Sequence, residues 1–199
     1  MIVVGITGTS GVILGIRLVE ELLRKGEAVA GVVSTRAWSV MVHELSFRSS
    51  GKEPLREFLM QRGRAGNLER FCEYDDKNLF APMASGSSGF EAVVVMPCSM
   101  KTLSAIATGF SDTLITRACD VALKEKRRCL LVPRESPLSL IHLENLKRVA
   151  QAGAAIVPPV PAFYFHPKSI NDVIDFVVGK VLSQLGREHE LNPPWSSFE

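Results

Sequence analysis

The chain has 199 residues, of which 46% are hydrophobic and 22% charged, with a formal net charge of +2. These values predict one domain with a substantial core, and without a basic stripe and interleaved aromatics they exclude a nucleic-acid binder. Every apolar run is strand-sized and no signal peptide is evident, so no membrane contact and a cytoplasmic location are expected.

Met1-Ile-Val-Val-Gly-Ile-Thr7 is a short β-branched run that breaks into Gly8-Thr9-Ser10-Gly11, then into an amphipathic helical pattern over 11–25. A buried strand feeding a helix through a glycine- and hydroxyl-rich turn leaves N–H groups and the positive helix pole pointing over the turn. That is an anion site. With no leader ahead of it, this strand is expected near the centre of a parallel sheet. The turn lacks the Gly-Lys-Ser/Thr of a triphosphate loop, and glycines at 5, 8, 11 and 15 do not make Gly-x-Gly-x-x-Gly. The next run, Ala28 to Val33, ends in Ser34-Thr35-Arg36, a hydroxyl where an NAD-binding fold places a carboxylate. A mononucleotide such as FMN fits better. The alternative is a tight turn whose glycines serve only helix–strand packing.

Strands are predicted at 2–7, 28–34, 92–97, 129–133 and 154–157, and helices at 36–46, 54–62, 99–108, 112–127, 138–152 and 170–186. The alternation makes an α/β protein, a Rossmann-like three-layer sandwich with a mostly parallel central sheet. Residues 1–187 form one flavin-binding domain, and 188–199, with Pro193-Pro194-Trp195, form an arm on the body or on a neighbouring subunit. The stretch 47–91 carries the weakest pattern, and its Ala84-Ser85-Gly86-Ser87-Ser88-Gly89 run is either a surface loop or room for a substrate, with Ser85 as a contact. Cys72, Cys98, Cys119 and Cys129 have no C-x-x-C spacing and read as reduced core thiols.

Ligands of such sheets bind beyond the carboxyl ends of the strands. Pro97-Cys-Ser-Met-Lys-Thr102 opens a helix there, so Ser99 or Thr102 is either an ordinary cap or a cofactor contact. Arg117, Asp120 and Lys124 share a helix face at i, i+3 and i+7, as a solvated salt-bridge stripe or as two cations on a phosphate. Arg134-Glu135 follows a strand directly: Arg134 suits a phosphate or an electron-rich ring, Glu135 proton transfer, and the alternative is an ion pair at the strand end. Pro158 to Tyr164 is a stiff loop whose aromatics would wall an apolar pocket. His43, His142, His166 and His189 show no metal-ligand spacing, and Asp75-Asp76 lacks the Asp-x-x-Asp of Mg²⁺–diphosphate chemistry.

Five separated segments carry a resemblance: Gly-Ile-Thr-Gly-Thr-Ser-Gly at 5–11, Pro-Cys-Ser-x-Lys-Thr-Leu-Ser at 97–104, Arg-Ala-x-Asp-Val-Ala-Leu-Lys-Glu at 117–125, Leu-Val-Pro-Arg-Glu-x-Pro-Leu at 131–138 and Pro-Pro-x-Pro-Ala-Phe-Tyr at 158–164. Together they resemble the UbiX-like flavin prenyltransferases, within the wider flavin-binding cysteine-decarboxylase-like fold, from Val3 to about Leu185. The resemblance implies transfer of a dimethylallyl group from dimethylallyl monophosphate to N5 and C6 of reduced FMN, without a metal, giving prenylated FMN for a UbiD-like decarboxylase. It implies a homo-oligomer, a dodecamer, with sites at subunit interfaces. Carried over by position, FMN meets Gly8, Thr9, Ser10, Ser34, Ser99, Met100, Lys101, Thr102 and Arg134. The donor phosphate meets Arg117, Lys124, Tyr164 and Lys180. Glu44 and Glu135 stand at the reacting flavin edge, with Ser10 also in a catalytic role. Relatives often carry Arg where this chain has Lys180, so a point charge replaces a planar fork. Two rivals share the fold: a decarboxylase of the phosphopantothenoylcysteine type, whose Pro-Ala-Ser-Ala-Asn-Thr-like stretch is here Pro97-Cys-Ser-Met-Lys-Thr102 without the Asn, and a non-catalytic FMN carrier.

Overall fold

The computed structural model describes residues 1–49 and 51–191. Six strands, β1 (Ile2–Ile6), β2 (Val29–Val33), β3 (Phe71–Asp75), β4 (Ala92–Cys98), β5 (Arg128–Pro133) and β6 (Ala155–Ile156), form one sheet in the order β3-β2-β1-β4-β5-β6. Every pairing is parallel. Strand β1 is central, as its unbroken apolar run requires, because a strand covered on both faces has no polar side to alternate with.

Alternate residues of β1 feed two cores. Ile2, Val4 and Ile6 pack with helices α1 (Val12–Arg24), α2 (Thr35–Leu45), α3 (Pro54–Arg62) and α7 (Ile170–Gln184). Val3 packs on the other face with α4 (Met100–Thr108), α5 (Leu114–Lys124) and α6 (Leu140–Gln151). The result is the three-layer sandwich. Gly15 shows how closely α1 lies on the sheet: a Cβ there would stand 2.1 Å from the Met96 carbonyl oxygen.

Strand β3 is absent from the sequence-based prediction. It is an edge strand with only Phe71 buried, and edges carry polar residues because one side of the backbone faces water. Glu73 on it accepts hydrogen bonds from the Leu55 and Arg56 amides, so a strand carboxylate caps α3. The cysteines divide: Cys98, Cys119 and Cys129 are buried as expected, but Cys72 is exposed on this edge, which corrects its reading as a core thiol. Of the predicted arm, Leu191 packs against the α1 side of the core and His189 hydrogen-bonds Ser183 at 2.8 Å. Residues 192–199, with Pro193-Pro194-Trp195, lie outside the described residues. Among the described residues no helix is long and apolar enough to cross a membrane.

Gly15→Val would drive a branched side chain into the β4 backbone. Overpacking of this kind typically costs about 1–3 kcal/mol, occasionally more, so denaturant unfolding of the variant should show a lower midpoint with an unchanged slope.

Candidate active site

The strand order reverses direction between β1 and β4, and a cleft of about 470 Å³ opens there at the carboxyl ends of the strands. Its walls include Thr7, Gly8, Thr9, Ser34, Ser99, Met100, Lys101, Thr102 and Glu135. Three helices begin on it. Ser34 caps α2 by accepting from the Ala37 amide at 3.3 Å, and Ser99 caps α4 by accepting from the Thr102 amide at 3.3 Å. Thr113 caps α5 through a reciprocal pair with Thr116. Ser99 thus caps a helix and also lines the cleft. Positive helix poles and hydroxyls converging on one space favour an anionic, hydroxyl-bearing ligand.

Gly8 cannot carry a side chain. A Cβ there would stand 2.5 Å from the Cβ of Arg36, so the first turn lies directly against the start of α2. The pole of α1 itself is occupied from within the chain: the Gly11 amide donates to the Glu44 carboxylate at 2.9 Å to one oxygen and 3.3 Å to the other. The anion over the first turn is thus a side chain of α2, and the open poles are those of α2, α4 and α5.

Ser10 and Arg134 are exposed and do not line the cleft, although the Arg134 carbonyl accepts from the Thr9 hydroxyl at 3.2 Å. Glu135 accepts from the Ser136 amide at 3.0 Å and makes no ion pair with Arg134, against the strand-end pairing considered for it. Arg117 and Lys124 stand on α5 away from the cleft lining. Arg117 donates through Nε to the Ala84 carbonyl at 2.9 Å and pairs with Asp120 at 2.6 Å, while Lys124 pairs with Glu125 rather than with Asp120. Ser85 follows Ala84 directly and is exposed. Tyr164 and Lys180 belong to the opposite layer, where Tyr164 packs edge-on against Phe176 and the Lys180 ammonium lies 5.2 Å from the Phe176 ring centre. Of the four residues carried over for the donor phosphate, Arg117 and Lys124 thus lie on one layer and Tyr164 and Lys180 on the other.

Sequence reasoning missed Asp76, Asp112 and Thr116, which line the α5 side of the cleft. Asp76 is 6% exposed; its carbonyl accepts from the Leu114 amide at 2.7 Å and its carboxylate from the Ile115 amide at 3.0 Å. Burial raises the pKa of this carboxyl above its ordinary 3.8, opposed by the Ile115 amide and the Thr113 hydroxyl. The available signal was a polar residue just after a strand, but β3 itself was not recognised. No group of three or more His, Cys, Asp or Glu side chains among the described residues could hold a metal ion.

A parallel sheet in 3-2-1-4-5-6 order with this cleft at its switch point defines a nucleotide-binding α/β protein. The family model described as Flavoprotein matches residues 1–182. A flavin prenyltransferase UbiX of Halalkalibacterium halodurans is 47% identical over 192 residues, covering 96% of this chain and 91% of the relative. The crystal structure of AnUbiX (PadA1) in complex with FMN and dimethylallyl pyrophosphate is 40% identical, with a TM-score of 0.84 over 98% of this chain and 96% of that one. A dodecameric FMN-dependent UbiX-like decarboxylase from Escherichia coli O157:H7 is 37% identical, with a TM-score of 0.83 over 98% of both chains. The chain belongs to the flavoprotein family and, within it, to the UbiX flavin prenyltransferases.

Because the folded state holds the Asp76 proton more tightly than the unfolded chain, the native form binds more protons between 3.8 and the raised value. Stability must therefore fall as pH rises through that window. Asp76→Asn keeps a carbonyl acceptor for the Ile115 amide and removes the titration. Its unfolding free energy should be flatter against pH there than that of the unmodified protein, as followed by urea titration at successive pH values.

Proposed function

We propose that this chain joins a dimethylallyl group from dimethylallyl phosphate to N5 and C6 of reduced FMN, without a metal. The observation that carries the reading is the cleft at the β1/β4 switch point. Its volume lies within the range of small-molecule sites, and its lining holds eight of the residues carried over for the flavin and its reaction. The residues fit FMN: Ser34, Ser99, Thr9 and Thr102 offer hydroxyls, and the poles of α2 and α4 offer amides for its phosphate. Lys101, Met100 and Gly8 complete the lining, and Ser10 and Arg134 flank it.

Bound reduced FMN supplies the electron-rich ring that accepts the allyl group. The chain's own residues do the rest. Glu135 lines the cleft and holds or takes the proton displaced at the reacting edge. Glu44, fixed by the Gly11 amide, stands with Ser10 beside the first turn as a second polar group at that edge. Departure of phosphate from an allylic carbon needs its growing negative charge stabilised by groups already in place. Arg117, Lys124 and the Ser85 hydroxyl provide this from one layer, Tyr164 and Lys180 from the other. Their separation within one chain supports an oligomer in which neighbouring subunits complete each donor site, and a dodecamer like that of the Escherichia coli relative is the proposed form. Prenylated FMN would then pass to a UbiD-like decarboxylase. The location proposed is cytoplasmic. A carrier of FMN would have no use for these cations, and a phosphopantothenoylcysteine-type decarboxylase would want the Asn that the 97–102 segment lacks.

The experiment is anaerobic incubation with FMNH₂ and dimethylallyl monophosphate in EDTA-containing buffer, with the flavin weighed by mass spectrometry. A mass gain of one dimethylallyl group is the expected result; a flavin of unchanged mass, with activity appearing on Mg²⁺ addition alone, counts against the mechanism. Glu135→Gln keeps shape but cannot take a proton, so it should bind FMN normally and form product about 10²–10⁴-fold more slowly. Lys124→Ala should leave the unfolding midpoint and FMN affinity unchanged while the rate falls about 10²–10³-fold; an unaltered rate would return Lys124 to a solvated surface pair.

A further inference from the structure

We propose that Arg127 is a positioning residue of the donor-phosphate site, holding the Ala84–Gly86 backbone against the helix that carries Arg117 and Lys124. The proposal rests on reading Arg117, Lys124 and Ser85 as that site. Ser85 sits between two anchored carbonyls. On one side the Ala84 oxygen accepts from Arg117 Nε at 2.9 Å, and on the other the Gly86 oxygen accepts from Arg127 Nη2 at 2.6 Å. Arg117 lies near the start of α5 and Arg127 just beyond its last residue, Lys124, and Gly86 lies so close that a Cβ on it would stand 2.7 Å from the Lys124 ammonium. The loop and the cations are therefore one unit: where the loop goes, Ser85 and the Arg117 guanidinium go with it.

The anchor is itself fixed. The Arg127 guanidinium lies 4.6 Å over the ring of Phe90, which is 2% exposed, and the Arg127 amide donates to the Ala122 carbonyl at 2.8 Å. Its other terminal nitrogen, Nη1, is buried and has no hydrogen-bond partner among the described residues. Leaving a buried donor unpaired is unfavourable, and an apolar side chain would cover Phe90 without that loss. What only the guanidinium supplies is the bond to Gly86. Arg117 spends Nε on Ala84 and one Nη1 hydrogen on Asp120, so a loop that drifts pulls the guanidinium away from Asp120 or breaks its bond to Ala84. Misplacement of a phosphate-binding group by about 1 Å costs up to about 10²-fold in rate.

The test uses full-length Arg127→Met, which keeps apolar cover over Phe90 but cannot donate to Gly86, beside Arg127→Lys and the Lys124→Ala control. Prenylation is measured at saturating FMNH₂ with dimethylallyl monophosphate varied. Arg127→Met should raise the donor KM on the order of ten- to a hundredfold, with FMN affinity and unfolding midpoint unchanged. Hydrogen exchange should quicken at the amides of 85–88 alone, and Arg127→Lys should recover part of the loss. A donor KM equal to the unmodified protein's, or equal losses of FMN and donor affinity, overturns the proposal. If Lys124→Ala is impaired in that case, only the anchor falls; if it too behaves normally, the donor site falls with it.

Discussion

Everything at the site depends on how the ends of β1 and β4 are tied together. The Thr7 hydroxyl, 1% exposed, donates to the Pro97 carbonyl at 2.8 Å and accepts from the Ser99 amide at 2.8 Å. The Thr7 amide donates to the same Pro97 carbonyl at 3.3 Å. The paired register of these two strands runs from Ile2–Ala92 to Gly5–Val95 and no further, so ordinary ladder bonds do not continue to the edge. One side chain replaces them. Two such bonds contribute only about 1–3 kcal/mol together, but they fix the spacing between the turn after β1 and the pole of α4, and that spacing is the cleft.

From that tie the electrostatics follow. The chain turns after β1 and after β4 lead to opposite layers, so helix poles face one space from both sides of the sheet. The α1 pole is neutralised by Glu44 of the neighbouring α2. A protein that fills one anion site with its own carboxylate leaves the poles of α2, α4 and α5 open to the cleft. On the far wall Asp76 joins the end of β3 to the start of α5, so the helix bearing Arg117 and Lys124 is oriented by an edge strand two strands away from β1.

The residues proposed for the donor phosphate show a different logic. Arg117 and Lys124 are held by short local contacts on α5, with Ala84, Asp120 and Glu125. Tyr164 and Lys180 cluster around Phe176 on the opposite layer. Each pair is ordered by contacts within its own layer.

Periodicity decided most of the fold. The unbroken run Ile2–Ile6 made β1 central, and the alternation of runs gave the layers, because burial on both faces or on one stripe leaves a pattern in the chain itself. The hydroxyl of Ser99 was legible as a cap for the same local reason, since a cap lies within three residues of the amide it serves, whereas the cap at Ser34 emerged only in the fold. Strand β3 was not legible, because an edge strand with Glu73 and an exposed Cys72 has no apolar run to read. Nor was the pairing of Glu44 with Gly11, 33 residues apart, or the tie of Thr7 to Pro97 and Ser99 across some 90 residues. The sequence by itself determined the buried strands, the helices and several of the polar residues that end them. Tertiary structure alone decided which ends meet, because hydrogen bonds between distant segments leave no period in the chain.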